Sequence, residues 1–421
     1  MNVFRRLVRR VPAVAPNTAQ LALDIGTEYA KALVFETRPG EGAVVTGVGR
    51  KRQGLSHMQS GTVADISAVV ANCREALDQA EAMAGRDAPK VVIGIAGELV
   101  KGFTTSRSVE RKHPDSAVTH SELERLLEEA EAEASAEAQR TITWETGLPN
   151  VDVRLVHAAV AGAGVDGYAV TNPVGFQGRH LRISVFNAYA PLVHLGALES
   201  VVEQLGLQLI KVVAEPYAVA RSISGEQVGQ SGALFIDVGG GTTDVALVRS
   251  GSVEGTRMFA LGGRAFTKSL ADRLDTSFEE AERIKIDHAQ GRAVERSDEV
   301  AQIVGEDVAV WAAGIELVLE EFGKAGLLPG RIELCGGGAA LPEIRAALEA
   351  DGFASGLPFA RRPQVSMMAP TSVNDVSDAT GLLVDLQDVT PMALAFQALE
   401  ASRPQEPLDA ALGRVLRGMR V

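Results

Sequence analysis

The sequence predicts an α/β protein made of two similar halves around a cleft, and three glycine-bearing turns predict it. Asp24-Ile25-Gly26-Thr27 joins two apolar runs, 21–24 and 31–36, that read as the strands of a hairpin. Asp237-Val238-Gly239-Gly240-Gly241-Thr242-Thr243-Asp244 joins 234–237 to 245–248 by the same logic, so the hairpin occurs twice. Later in the chain, a strand at 332–334 runs into Gly336-Gly337-Gly338 ahead of a helix at 342–348.

Between these turns the elements follow in order. Val3, Phe4, Leu7, Val8 and Val11 fall on one side of a helical wheel and Arg5, Arg6, Arg9 and Arg10 on the other, a basic amphipathic helix closed by a linker with Pro12 and Pro16. Gly54 and Gly61 mark loops, 65–83 has helical apolar spacing, and 91–95 is a short buried strand. The stretch 119–140 carries seven Glu and reads as a solvated helix, opened by Thr119 with Glu122 three residues on. Strands are expected at 151–160 and 168–171, a turn-rich loop at 172–178, and helices at 192–207, 265–274, 278–286 and 300–324. In the last helix, 408–420, Leu408, Leu412, Val415, Leu416 and Met419 form one stripe, with Arg414, Arg417 and Arg420 off it. Such a helix can sink its apolar face into an anionic membrane surface, or it can pack on its own domain.

Composition narrows the function classes. With 421 residues, 46% of them apolar and 23% charged, the chain supports several domain-sized cores and is not a disordered protein. A formal net charge of -13 argues against general nucleic-acid binding, which needs clustered Lys and Arg. Cys73 and Cys335 lack the spacing of a zinc site or disulfide framework. Neither a run of about 18 apolar residues nor the apolar core of a secretory signal is present, so a cytoplasmic protein is expected.

The turns specify the chemistry. Two glycine turns facing one another can hold a polyphosphate, because bare backbone N–H groups approach phosphate oxygens closely and threonine hydroxyls add hydrogen bonds. The residues concerned are Gly26, Thr27, Gly239, Gly240, Gly241, Thr242 and Thr243, while Asp24, Asp237 and Asp244 stand where carboxylates can orient the waters of a Mg²⁺ ion. Gly336, Gly337 and Gly338 offer flat backbone against which a base can lie. Residues 162–167 match G-x-G-x-x-G, but strand rather than helix is expected next, so no dinucleotide site is assigned there.

In this chain order the three turns resemble those of the actin-like ATPase superfamily, which includes actin, heat-shock 70 chaperones and sugar kinases. The resemblance implies two duplicated ribonuclease-H-like lobes around an ATP cleft. Val165-Asp166-Gly167, Asn172-Pro173-Val174-Gly175 with Gly178, Val213-Ala214-Glu215-Pro216-Tyr217-Ala218, Leu261-Gly262-Gly263 and Glu282 with Lys285 are similar, in order, to segments of the bacterial division protein family FtsA. That likeness covers most of 20–400 and implies an FtsA-type inserted subdomain. The division it implies is an amphipathic segment and linker at 1–16, a first lobe at 17–103 and 181–226 around an insert at 104–180, a second lobe at 227–255 and 331–400 around a small subdomain at 256–330, and a linker with amphipathic helix at 401–421.

The family likeness also implies function. Glu282 and Lys285 would contact ribose and adenine, or else form a plain surface ion pair. Glu215 would position the attacking water of a weak ATPase, with Asp24 and Asp237 around the metal, or else merely open a helix. FtsA-type proteins bind ATP with Mg²⁺, associate with themselves, and join tubulin-like FtsZ and other division proteins to the inner face of the cell membrane. Phe4, Leu7, Val8, Leu412, Leu416 and Arg417 would meet an anionic lipid surface at the division site. The sequence departs from the family at Val185-Phe186-Asn187-Ala188 and at Thr390-Pro391-Met392-Ala393. A PilM-like adaptor of type IV pili is the alternative within the superfamily; a sugar kinase or chaperone is a more remote one, since no sugar-facing Asp motif or peptide-binding domain is recognisable.

Overall fold

A computed structural model of the chain describes residues 19–38, 40–223 and 228–419. The basic segment with Phe4, Leu7 and Val8 lies outside them. The first half begins with β1 (Ala19–Ile25), β2 (Tyr29–Arg38) and β3 (Gly42–Arg52), an antiparallel meander, followed by the short hairpin β4 (Met58–Gln59) and β5 (Thr62–Val63). Helix α1 (Ile66–Ala84) starts where the Asp65 side chain accepts the Ala68 N–H and stops at Gly85 in the left-handed region. Its apolar face, with Val69, Cys73, Ala76 and Ala80 fully buried, lies directly on β3. A Cβ on Gly47 or Gly49 would come within 2.0 or 1.8 Å of the Ala80 or Ala76 carbonyl oxygen, so glycines at alternate strand positions set this close approach. Strand β6 (Lys90–Ile95) runs parallel to β1.

The chain then leaves this half to build an insert of β7 (Lys101–Glu110), α2 (His120–Thr146), β8 (Val153–Val165), β9 (Tyr168–Val170) and β10 (His180–Pro191). The capping box predicted at Thr119 and Glu122 is formed. Helix α2 runs past the expected end to Thr146, capped by Gly147, and opposite its wet face Leu123, Leu126, Leu127, Ala130, Ala134, Ala138 and Ile142 are buried. β10 pairs with both β7 and β8, which places residues 180–191 in the insert's sheet rather than in that of the first lobe. Residues 162–167 lie in β8 and its turn to β9, with strand following, as the sequence predicts.

Helix α3 (Leu192–Leu205), β11 (Gln208–Ala214) and α4 (Glu215–Ile223) return to the first half. The second half holds β12 (Ala233–Val238), β13 (Thr243–Arg249), β14 (Ser252–Phe259), α5 (Gly263–Leu274), α6 (Phe278–Ala289), α7 (Ser297–Gly323), β15 (Arg331–Cys335), α8 (Pro342–Glu349) and β16 (Gln364–Met367). β17 (Val376–Asp378), α9 (Val389–Ser402) and α10 (Pro407–Met419) complete the described chain. One sheet runs β11-β6-β1-β2-β3-β17 and the other β16-β15-β12-β13-β14-β7-β10-β8-β9. The second sheet is continuous from the second half into the insert, because Gly255 and Thr256 of β14 pair with Phe103 and Gly102 of β7. A Cβ on Gly102 would come within 2.1 Å of Thr256 Oγ1, so the seam is tight.

The last two helices pack in different places. Helix α9 buries Val389, Met392, Leu394 and Phe396 in the core of the first half. Helix α10 buries Leu408, Ala411, Leu412 and Val415 in one cluster with Leu123, Leu126 and Leu127 of α2. Arg414 Nε bonds Glu124 Oε1 at 2.7 Å on the same face of α2. Of the residues read as lipid-facing, Leu412 is therefore buried and Leu416 half-buried, while Arg417 remains exposed. In this arrangement the stripe packs on the protein's own insert, because α2 presents an apolar face that the run of Glu concealed in the sequence. No described helix is long and apolar enough to cross a membrane.

Candidate functional site

The two hairpin turns and the turn between β15 and α8 converge on one cleft of about 640 Å³. In the first turn the Gly26 N–H donates to Tyr29 O at 3.1 Å. In the second, the Gly239 N–H closes the loop onto Thr242 O at 2.9 Å, while the N–H groups of Gly240 and Gly241 have no partner among the described residues. These two donors border the cleft. Gly336 adopts φ +85° and sits against the end of β12. All the glycines assigned to nucleotide binding, with Thr27 and Thr242, line this one space.

Asp24, Glu215, Asp237 and Asp244 bring four carboxyl groups to the same wall. Burial pushes the Glu215 pKa well above the usual carboxylate range, and the charges of Asp24, Asp244 and Asp237 push it further. Asp244 is raised by burial and by Asp237. Asp237 is raised by burial too, although Thr390 Oγ1 donates to its Oδ2 at 2.5 Å and opposes the shift. Glu215 is held by shape as well: a Cβ on Gly94 would collide with its side chain. The position suits a group that faces the cleft from the head of α4.

One cation answers the carboxylates. Lys31 stands directly opposite Asp24 in the β1–β2 ladder and donates from Nζ to Asp24 Oδ2 and to Gln387 O, both at 2.9 Å. Burial alone would lower its pKa, but Asp24, with help from Asp237 and Asp388, more than offsets burial and the net shift is upward, so the ammonium is retained. Lys31 was not among the residues singled out from the sequence. The signal was there, since a strand residue facing the turn's Asp from the partner strand shares its side of the sheet. Thr390, Gln387 and Arg264 also line the cleft and were not assigned to the site from the sequence, although Thr390 and Arg264 lie in or beside segments compared with the FtsA family.

Two assigned residues do something else. Thr243 faces away from the cleft: it is fully buried, its hydroxyl donates to Leu261 O at 2.7 Å and accepts the Trp311 Nε1–H at 2.9 Å. Strand alternation explains this, because β13 begins at Thr243 and turns successive side chains to opposite faces. Thr243→Val is accordingly expected to cost about 1–3 kcal/mol in stability through the unpaired indole and carbonyl, with nucleotide affinity unchanged, as denaturation and titration would show. Lys285 lines the cleft, but its three N–H groups are engaged by Gly263 O at 2.9 Å, Thr267 Oγ1 at 2.7 Å and Glu282 Oε2 at 2.7 Å. Lys285 thus pins α6 to the start of α5, and Glu282 is the member of the pair with capacity left. Beyond it the cleft wall is apolar, with Ile286, Ala289, Leu341, Met367 and Leu386, a surface suited to a flat base.

The carboxylate set is all oxygen, which suits Mg²⁺. Among the described residues no three acidic or metal-ligating side chains converge closely enough to hold an ion directly. Ligation through water by Asp24 and Asp237 fits that geometry, and the buried Asp244 Oδ1, which has no hydrogen-bond partner, leaves acceptor capacity for such a water.

A model of the family described as cell division protein FtsA matches residues 234–381, a stretch that holds the second hairpin turn and the Gly336 turn. The cell division protein FtsA of Streptococcus pneumoniae is 29% identical over 339 residues, 76% of this chain and 70% of that protein. FtsA of Bacillus subtilis is 28% identical over 349 residues, 78% of this chain and 75% of that protein. Among solved structures, a PilM-PilN type IV pilus biogenesis complex superimposes with a TM-score of 0.64 at 17% identity, covering 91% of this chain and 99% of that one. The resemblance to FtsA read from the sequence is borne out by these matches, and the fold is the actin-like ATPase fold.

Proposed function

We propose that this chain is a cell-division protein of the FtsA type, an actin-like protein that binds ATP with Mg²⁺ and joins tubulin-like FtsZ filaments to the inner face of the cytoplasmic membrane. In this reading it associates with itself and recruits other division proteins at the division site. One observation carries it: three glycine turns from separate stretches of chain meet at a single cleft with four carboxyls, three of them buried, and a lysine. The similarity to FtsA proteins over three quarters of the chain supplies the cellular role.

Each residue then has a task. The N–H groups of Gly240 and Gly241 and the Lys31 ammonium hold phosphate oxygens, and Thr27 and Thr242 add hydroxyl contacts. A bound Mg²⁺ would neutralise phosphate charge, held through waters on Asp24 and Asp237. Burial and the charges of Asp24, Asp244 and Asp237 outweigh Lys31 and hold the Glu215 proton; a further cation in the cleft favours its ionised form, which can orient a water for slow hydrolysis. The second reading, a pilus adaptor, draws on the fold shared with PilM.

The test pairs two measurements on the purified full-length chain: titration with a fluorescent ATP analogue, and co-sedimentation with anionic liposomes. Because α10 has its stripe packed on α2, removal of residues 1–16 is expected to reduce liposome binding at least about tenfold, and removal of 404–421 much less. No liposome binding by the intact chain would sink the tethering role and move the reading to a soluble adaptor. Co-pelleting with FtsZ filaments separates the division role from the pilus role.

A further inference from the structure

At the mouth of the phosphate cleft a single carboxylate is shared by arginines from both halves. Glu28 follows the first glycine turn and lies over the second: a Cβ on Gly240 would come within 3.0 Å of its Cβ. Its Oε1 accepts from Arg52 Nε at 2.6 Å, and its Oε2 accepts from Arg264 Nε at 2.8 Å. Arg52 belongs to β3 of the first half, whereas Arg264 stands in the first turn of α5 in the second. Arg264 also reaches the carbonyl oxygens of Gln53 at 3.3 Å and Leu55 at 3.4 Å, both in the first half, while its own N–H is fixed to Gly240 O at 2.8 Å. One side chain anchored beside the second phosphate turn is therefore gripped by three acceptors across the cleft. The pair is mostly shielded, with side-chain exposures of 14% for Arg264 and 18% for Glu28.

Another tie between the halves, from Thr390 Oγ1 of α9 to Asp237 Oδ2 of β12 at 2.5 Å, lies among the carboxylates themselves. The Arg264 tie is in front, between the turns that a polyphosphate must reach. We propose that Arg264 and Glu28 form a latch that holds the two phosphate turns closed on one another, and that its opening sets how fast nucleotide enters and leaves. This rests on the nucleotide reading of the cleft, but the latch itself exists without a ligand and can be tested without one.

Hydrogen exchange is measured on the ligand-free protein over peptides spanning 26–29 and 239–243, for the native chain, Arg264→Gln, Arg264→Lys and Glu28→Gln. Loss of a partly shielded, forked ion pair is expected to accelerate exchange in both turns about tenfold in Arg264→Gln and Glu28→Gln, with Arg264→Lys in between. Added salt should speed exchange in the native chain and leave Arg264→Gln unmoved, which a merely structural contact would not do. Release of a fluorescent ATP analogue should accelerate by the same factor. Exchange unchanged in the glutamine variants, or equally sensitive to salt in all four proteins, overturns the latch. Binding of no nucleotide by the native chain overturns the reading of the cleft instead, and leaves the hydrogen-exchange result to decide the latch by itself.

Discussion

Gly336→Ala is expected to abolish measurable nucleotide binding, a loss of at least about a hundredfold, and to destabilise the second half by about 3 kcal/mol or more. The residue holds φ +85°, where a side chain is strained before any contact is considered. Its Cβ would then lie 2.1 Å from Asp237 Oδ1 and 2.5 Å from Val238 O. The second neighbour is backbone in the middle of a sheet, so relief requires β12 and β15 to part. Asp237 would be driven from its place beside Thr390. Calorimetric titration with ATP and a thermal melt check both consequences; a variant that binds ATP as the native chain does would show that the turn is remote from the ligand. Gly337→Ala is the matched control, with only Gln387 Cβ near its added carbon, at 3.9 Å.

Glu131→Gln is expected to stabilise the protein by about 2–3 kcal/mol at pH 8 and to leave it unchanged near pH 4. Glu131 lies on the buried face of α2, 1% exposed, with Asn187 of β10 as its partner. Both Glu131 Oε1 and Asn187 Oδ1 are buried acceptors with no donor. Burial raises the carboxyl from the usual 4.5 to about 7. The folded chain thus keeps a proton that the unfolded chain loses, so stability falls as pH rises from about 4.5 to 7 and the full cost persists above 7. Denaturation by urea from pH 4 to 8, native against Glu131→Gln, checks the slope. Parallel curves would mean that the carboxyl is not what the pH dependence reports.

The sequence made the cleft legible because glycine turns are local signals: each needs only a few residues between two apolar runs. The same holds for the cap at Thr119 and Glu122, which does what its spacing predicts. What escaped was set by partners distant in the chain. Lys31 acquires meaning only from the register that puts it opposite Asp24, and Thr243 is taken out of the site by Trp311, 68 residues later. The glutamates of α2 dominated its reading, whereas its alternate Leu and Ala positions decide how it packs. Strand β3 left no alternation to find, because its glycines serve the helix above it rather than the pattern of the strand. Helix α10 was read correctly as amphipathic, and the choice between lipid and protein lay in α2, nearly 300 positions upstream.

The seam at Gly102 and Thr256 has a mechanical consequence. The insert is spliced into the first half by covalent chain but hydrogen-bonded to the second half by its sheet, so no rotation between the halves can leave it where it was. Lys101, beside the seam, is tied to Glu145 near the end of α2 at 2.6 Å, while Arg414 of α10 grips Glu124 near the other end. A helix of 27 residues spans about 40 Å, so each degree of tilt at the seam displaces its far end by about 0.7 Å. Helix α2 is thereby a lever arm, with its fulcrum next to the second half and its working end under the C-terminal helix.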